Sequence, residues 1–101
     1  MIVKNVVIAE FHVLKEHVET LEEGFRNSFS DTRAYSGCIS IDAYLDETAS
    51  TFIVVQDWES FEHYDAYLNW RIESGLFDFF DRILVGGRKG FRVRKLKKKD
   101  V

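Results

Sequence analysis

The feature that most restricts this chain is a set of short, β-branched segments that are apolar on both alternating faces. Residues 2–12 read Ile-Val-Lys-Asn-Val-Val-Ile-Ala-Glu-Phe-His. Val3, Val7, Ala9 and Phe11 fall on one side, Val6 and Ile8 on the other. A strand with side-chain period two and grease on both sides must be covered on both sides. The segments 38–45 and 51–58 behave alike: Ile39, Ile41 and Leu45 oppose Cys38 and Tyr44, and Phe52 and Val54 oppose Ile53 and Val55. Leaving several such side chains wet would forgo several kcal/mol at about 25 cal/mol per Å².

Between these segments the period changes. Val18, Leu21, Phe25 and Phe29 recur at helical steps after Leu14, with Glu16, Glu19, Glu22, Glu23 and Arg26 on the remaining surface, which predicts a helix of about four turns. The polar run 30–37 ends in a glycine and reads as a connection. Residues 46–50 have hairpin length, which makes the second and third strands an antiparallel pair. Ser60 can cap a helix bearing Phe61, Tyr64, Tyr67 and Leu68 on one face. Gly75 interrupts it, a second helical piece carries Leu76, Phe77, Phe79, Phe80, Ile83 and Leu84, and Gly86-Gly87 end that piece. A last strand covers 91–96. The order βαββαβ is the antiparallel ferredoxin-like α+β arrangement, which puts helices on one sheet face only. The expected cover for the other face is the sheet of a second copy, making a homodimer.

The 101 residues have room for one domain, spanning 1–101, and the 15% aromatic content excludes a disordered chain. One cysteine, Cys38, forms no intrachain disulfide. No apolar run approaches the roughly 18 residues of a membrane span, and no signal peptide is apparent, so a cytoplasmic address is the expectation. The net charge of −3 hides an asymmetry: residues 88–101 carry +7 and residues 1–87 carry −10. A basic tail can bind nucleic acid. Without an aromatic-interleaved basic stripe or a recognition helix, the expectation is a solvated terminal strand meeting its own acidic body.

Two segments carry a family resemblance. Ser36-Gly37-Cys38-Ile39-Ser40-Ile41-Asp42-Ala43-Tyr44-Leu45-Asp46 resembles the "pGC" strand entry of the antibiotic biosynthesis monooxygenase (ABM) domain, and Val54-Val55-Gln56-Asp57-Trp58-Glu59-Ser60 resembles its "ExWxS" strand end. Element order and length match as well, over roughly residues 3–97. The resemblance implies a dimeric α+β barrel with two sheets face to face. It also implies activities such as cofactor-free oxygenation of anthrones and quinols, or haem degradation. Cofactor-free oxygenation needs an apolar cavity for an electron-rich phenol and a polar group that promotes its ionisation. The expected ligand is thus a small aromatic quinol or anthrone. The alternative is a non-catalytic binding or stress-response module on the same barrel.

Departures from the family pattern bear on the chemistry. Gln56 stands where the motif usually has Glu, which removes one candidate acid or base. The stretch Ala66-Tyr67-Leu68-Asn69-Trp70-Arg71 lacks the histidines of an "AHxxxxHF" pattern. Asn5 and Trp70 match two residue types that haem-degrading relatives use, but no histidine follows residue 63 to serve as an axial ligand. The three His and the one Cys have no metal-ligand spacing, so neither metal nor other cofactor is expected. The candidate catalytic residues are His12 at the mouth of a cavity, Tyr67, and Arg71, whose charge could hold a phenolate. Candidate substrate-binding residues are Asn5, Tyr44, Trp58 and Trp70, as polar contact or stacking surface. Arg71 could equally form a surface ion pair with Asp65 or Glu73. His17 and His63 read as solvated, Cys38 as a small buried side chain, and Gly86, Gly87 and Gly90 as a turn, not a phosphate loop.

Overall fold

A computed structural model describes residues 5–101; Val3, expected on the covered face of the first strand, lies outside the described residues. The elements run β1 (Asn5–His12), a 3-10 turn (Lys15–His17), α1 (Val18–Ala34), β2 (Cys38–Asp46), β3 (Thr51–Trp58), α2 (Phe61–Glu73), α3 (Leu76–Ile83), a second 3-10 turn (Gly87–Gly90) and β4 (Phe91–Lys97). The sheet is antiparallel throughout, in the order β2-β3-β1-β4, which is the ferredoxin-like topology.

Strand alternation sorts the side chains. Val7, Ala9 and Phe11 of β1, and Phe52, Val54, Gln56 and Trp58 of β3, are buried. They meet Leu21 of α1, Tyr64 of α2, and Phe80 and Ile83 of α3. Phe11 makes edge contacts with Phe25 and Phe80 at 5.1 and 5.6 Å between ring centroids. The opposite face carries Val6, Ile8, Ile53 and Val55, all only half-buried, with Tyr44 and Leu96 exposed beside them. Two-sided grease is therefore real.

The face assignment in β2 needs correction. Cys38 pairs with Trp58 and Ser40 with Asp57, so a bulge sits between them and Ile39 is the extra residue. Beyond it the alternation resets, and Cys38 and Ile41 both pack inward while Ile39 is exposed.

Helix α1 also runs further than its polar C-terminal sequence suggests. Ser30 to Ala34, expected as a connection, are helical. Thr32 is fully buried and bonded to α2, and Arg33 Nη2 donates to the Ile41 carbonyl at 3.1 Å. Contacts with residues distant in sequence thus outweigh the local polar pattern.

Gly37 makes the tight approach to β2 possible. It has φ +92°, and a Cβ there would lie 2.3 Å from His63 Cγ. His63 is part of the α2 cap: its backbone N–H donates to Ser60 Oγ at 3.1 Å, and its Nδ1 lies 2.6 Å from the same oxygen. Gly75, with φ +100°, separates α2 from α3 as the sequence predicts.

The basic terminus meets the acidic body. Lys95 Nζ lies 2.7 Å from Asp65, Arg94 Nη2 3.6 Å from Glu10, and Arg88 Nη2 2.8 Å from Asp81. No helix among the described residues is long and apolar enough to cross a membrane.

Candidate functional site

The helices do not close fully on the sheet. A cavity of about 190 Å³ lies between them, walled by Ala9, Phe11, Ile41 and Val54 from the sheet and by aromatic and aliphatic side chains of all three helices. Its polar lining comes from Gln56 on the sheet floor, Ser28 on α1, and Tyr64, Tyr67 and Arg71 on α2. Among the described residues Arg71 is the only formally charged one in the wall, and no carboxylate or imidazole lines it.

The α2 spacing explains the pairing of Tyr67 with Arg71, one turn apart on one face. Arg71 Nε donates to Tyr67 Oη at 3.0 Å, and Nη2 donates to the Ser28 carbonyl and to Thr32 Oγ1, both at 3.0 Å. Thr32 Oγ1 donates in turn to Ser28 O at 3.3 Å and lies 2.8 Å from Tyr67 Oη. Thr32 and Tyr67 thus share one short hydroxyl–hydroxyl hydrogen bond, and Tyr67 Oη also accepts from Arg71, while Nη1 of Arg71 has no partner among the described residues. The guanidinium also lies over the Trp70 ring, 4.6 Å from its centroid. The surface ion pair with Asp65 or Glu73 does not form; Asp65 is taken by Lys95.

Of the other candidates, Trp58 is completely buried directly behind the cavity wall, and its indole Nε1 donates to Gln56 Oε1 at 3.0 Å. Asn5 spends its amide on the chain itself, donating to the carbonyls of Trp58 at 3.2 Å and Glu59 at 3.0 Å, and so ties the start of β1 to the end of β3. Trp70 stacks on Tyr35 at 5.5 Å and is 38% exposed, outside the cavity. His12 and Tyr44 lie on the opposite face of the sheet. His12 has the same strand parity as Val6 and Ile8, and it borders a surface groove with Glu10, Lys89 and Arg92. Tyr44 pairs with Ile53 and is 60% exposed. Neither can reach the cavity, so these two expectations are corrected by the alternation of the strands.

Two lining residues escaped sequence reading. Gln56 registered only as a missing acid, although its place in the buried series Phe52, Val54, Gln56, Trp58 marks a polar side chain aimed into the core. Tyr64 read as plain core. Burial, reinforced by the neighbouring Tyr67 and Asp65, pushes its phenol above the ordinary tyrosine range, so it stays a neutral hydroxyl. Burial likewise raises the Cys38 thiol, against a smaller opposing effect of Arg33. Among the described residues no group of His, Cys, Asp and Glu could hold a metal.

Comparison with known proteins agrees with this geometry. No curated protein matches the chain. Among solved structures it is similar to Rv0793 from Mycobacterium tuberculosis (23% identity, TM-score 0.70, covering 97% of each chain). It is similar also to a conserved protein from Methanosarcina mazei Go1 (17%, TM-score 0.80, covering 97% of this chain and 95% of that one). A third is a crystal structure described as an antibiotic biosynthesis monooxygenase (15%, TM-score 0.72, covering 96% and 98%). At these identities the likeness is one of fold. The sequence model of antibiotic biosynthesis monooxygenases matches residues 5–71, which hold β1 through the end of the Tyr67–Arg71 cluster, and the chain belongs to that family.

Proposed function

We propose that the chain is a cofactor-independent monooxygenase acting on a phenol or quinol of one or two rings. The observation that carries this reading is the apolar cavity with one cation in its wall. An engineered cavity of about 150 Å³ lined by apolar side chains holds benzene. A volume of about 190 Å³ therefore suits one substituted ring or two fused rings. Arg71 lines the cavity with Nη1 unpartnered among the described residues, which supports a role in stabilising the aryloxide, the electron-rich form that reacts with oxygen. For a hydroquinone the balance is quinol plus O₂ giving hydroxyquinone plus water: one oxygen atom enters the ring, the other leaves with two hydrogens. Among the described residues no carboxylate or imidazole lines the cavity to take the phenolic proton, so that proton leaves to solvent.

An oxygen electrode with 1,4-dihydroxynaphthalene tests this. Expected is uptake above the protein-free autoxidation rate, a rate that rises with the substrate's own ionisation, and a loss of at least tenfold in Arg71→Met. Uptake no faster than autoxidation would refute it. A non-catalytic binding module is the second reading, favoured by the lack of carboxylate and imidazole in the wall; thermal stabilisation by an aromatic ligand that emerges chemically unchanged would support it.

We also propose that a second copy covers the apolar face formed by Val6, Ile8, Ile53 and Val55. Membership of a family whose members pair sheet to sheet supports this, as does the cost of leaving the face wet.

A further inference from the structure

We infer that Gln56 is a ligand-binding residue that selects aromatic molecules bearing a carbonyl or ring-oxygen acceptor at the sheet side of the cavity. The inference rests on the cavity being a ligand site, as proposed above, and adds the chemistry of what it selects.

The argument starts with Trp58. An indole N–H can only donate, so the atom of Gln56 that faces it must be the amide oxygen. That fixes the rotation of the carboxamide and turns its NH₂ group the other way. Gln56 is 3% exposed, yet its Nε2 has no hydrogen-bond partner among the described residues. No sealed polar side-chain atom among them lacks a partner either, so this nitrogen opens onto the cavity that the residue lines. Two N–H donors thus face a mostly apolar cavity with no protein acceptor in reach. A ligand acceptor there takes the place of water on donors that the protein leaves unpaired.

The rest of the lining points the same way. Tyr64, 2% exposed, has a hydroxyl with no partner among the described residues, and Arg71 offers its free Nη1 hydrogens. The Tyr67 hydroxyl is already engaged, accepting from Arg71 Nε and sharing a hydrogen bond with Thr32. The unfilled valences of the site are therefore donors on the floor and at the helix wall, which complement a quinone, an aryl ketone or an aryloxide and give nothing to a bare hydrocarbon. A glutamate at position 56 would present an acceptor here and reverse that preference.

The test uses 1-indanone and indane, two bicyclic probes of matched shape that differ by one carbonyl oxygen, with dissociation constants measured by calorimetry. In going from the native protein to Gln56→Met, which keeps the side-chain length and removes the donors, the affinity ratio of indanone to indane should fall about tenfold. A fall of less than fivefold overturns the inference. Should Gln56→Met not fold, the native protein decides by NMR: indanone and not indane must shift the Gln56 side-chain NH₂ resonances, and unshifted resonances at saturation overturn it. Binding of both probes with an unchanged ratio defeats the inference alone. Failure of both to bind defeats it together with the cavity as a ligand site.

Discussion

Replacing Thr32 by valine removes one oxygen while keeping the shape of the side chain, and the consequence can be worked from the bonds it makes. Oγ1 accepts from Arg71 Nη2, shares a short hydrogen bond with Tyr67 Oη and lies 3.3 Å from Ser28 O. The Ser28 carbonyl keeps its helical bond and its bond from Arg71, so it is not orphaned. Tyr67 loses its short hydroxyl partner in a part-buried place, at about 1–3 kcal/mol. The Arg71 hydrogen can find water, since the guanidinium is only half-buried, and its loss adds less than about 1 kcal/mol. A total near 2–3 kcal/mol corresponds to a fall in Tm of roughly 10–20 °C for a domain of this size. Thr32→Ser is the control: it keeps the hydroxyl and gives up one methyl, at about 1 kcal/mol. Urea and thermal unfolding at one fixed protein concentration, which removes any contribution from association, should rank the native protein above Thr32→Ser and Thr32→Ser above Thr32→Val. A valine variant as stable as the serine variant would refute the claim that this hydroxyl fastens α1 to α2.

Gly37→Ala should destabilise the fold by at least about 2 kcal/mol, because its left-handed backbone is costly for alanine and the new methyl strikes His63; combining it with His63→Ala should recover only the clash with the ring, since His63 Cβ itself lies 2.5 Å from the new methyl, read from urea midpoints. Arg88 holds the Asp81 carboxyl below its ordinary range, first through its side-chain hydrogen bonds and then through its backbone N–H. A depressed folded pKa contributes stability that is present above the unfolded value near 3.8 and is lost as pH falls through the lower folded value. The stability gap between the native protein and Asp81→Asn should therefore be constant from neutrality down to about pH 5 and close towards about pH 2; a gap independent of pH would contradict the pairing. Ile8→Lys places a charge in the middle of the uncovered sheet face. Light scattering should give twice 11.8 kDa for the native protein and 11.8 kDa for the variant, and a native protein that scatters as a single chain would refute the pairing of sheets.

The layout of strands and helices was legible because each element advertises its own period: Val6 to Phe11 step by two, Val18 to Phe29 by three and four. What stayed hidden depended on partners distant in sequence. Thr32 belongs to a helix because Tyr67 and Arg71 reach it across more than thirty residues, and no local pattern announces that. The bulge at Ile39 shifts the parity of β2 by one, which strict alternation cannot anticipate. Tyr67 and Arg71, candidates from the chemistry of their side chains, both line the cavity. His12 shares the even parity of Val6 and Ile8, which puts it on the far face of the sheet. Gln56 was seen only as the lack of a carboxylate. Its positive role needs the knowledge that Trp58 grips one end of the amide.

That grip has an evolutionary side. The polarity displayed at the cavity floor is set by an indole standing outside the wall, where no ligand touches it. Exchange of Trp58 for a ring without an N–H would release the carboxamide to swivel, and one chamber would then greet oxygen-bearing or hydrogen-bearing guests with equal ease. Relatives with identical walls can in this way diverge in diet through a change in the masonry behind them.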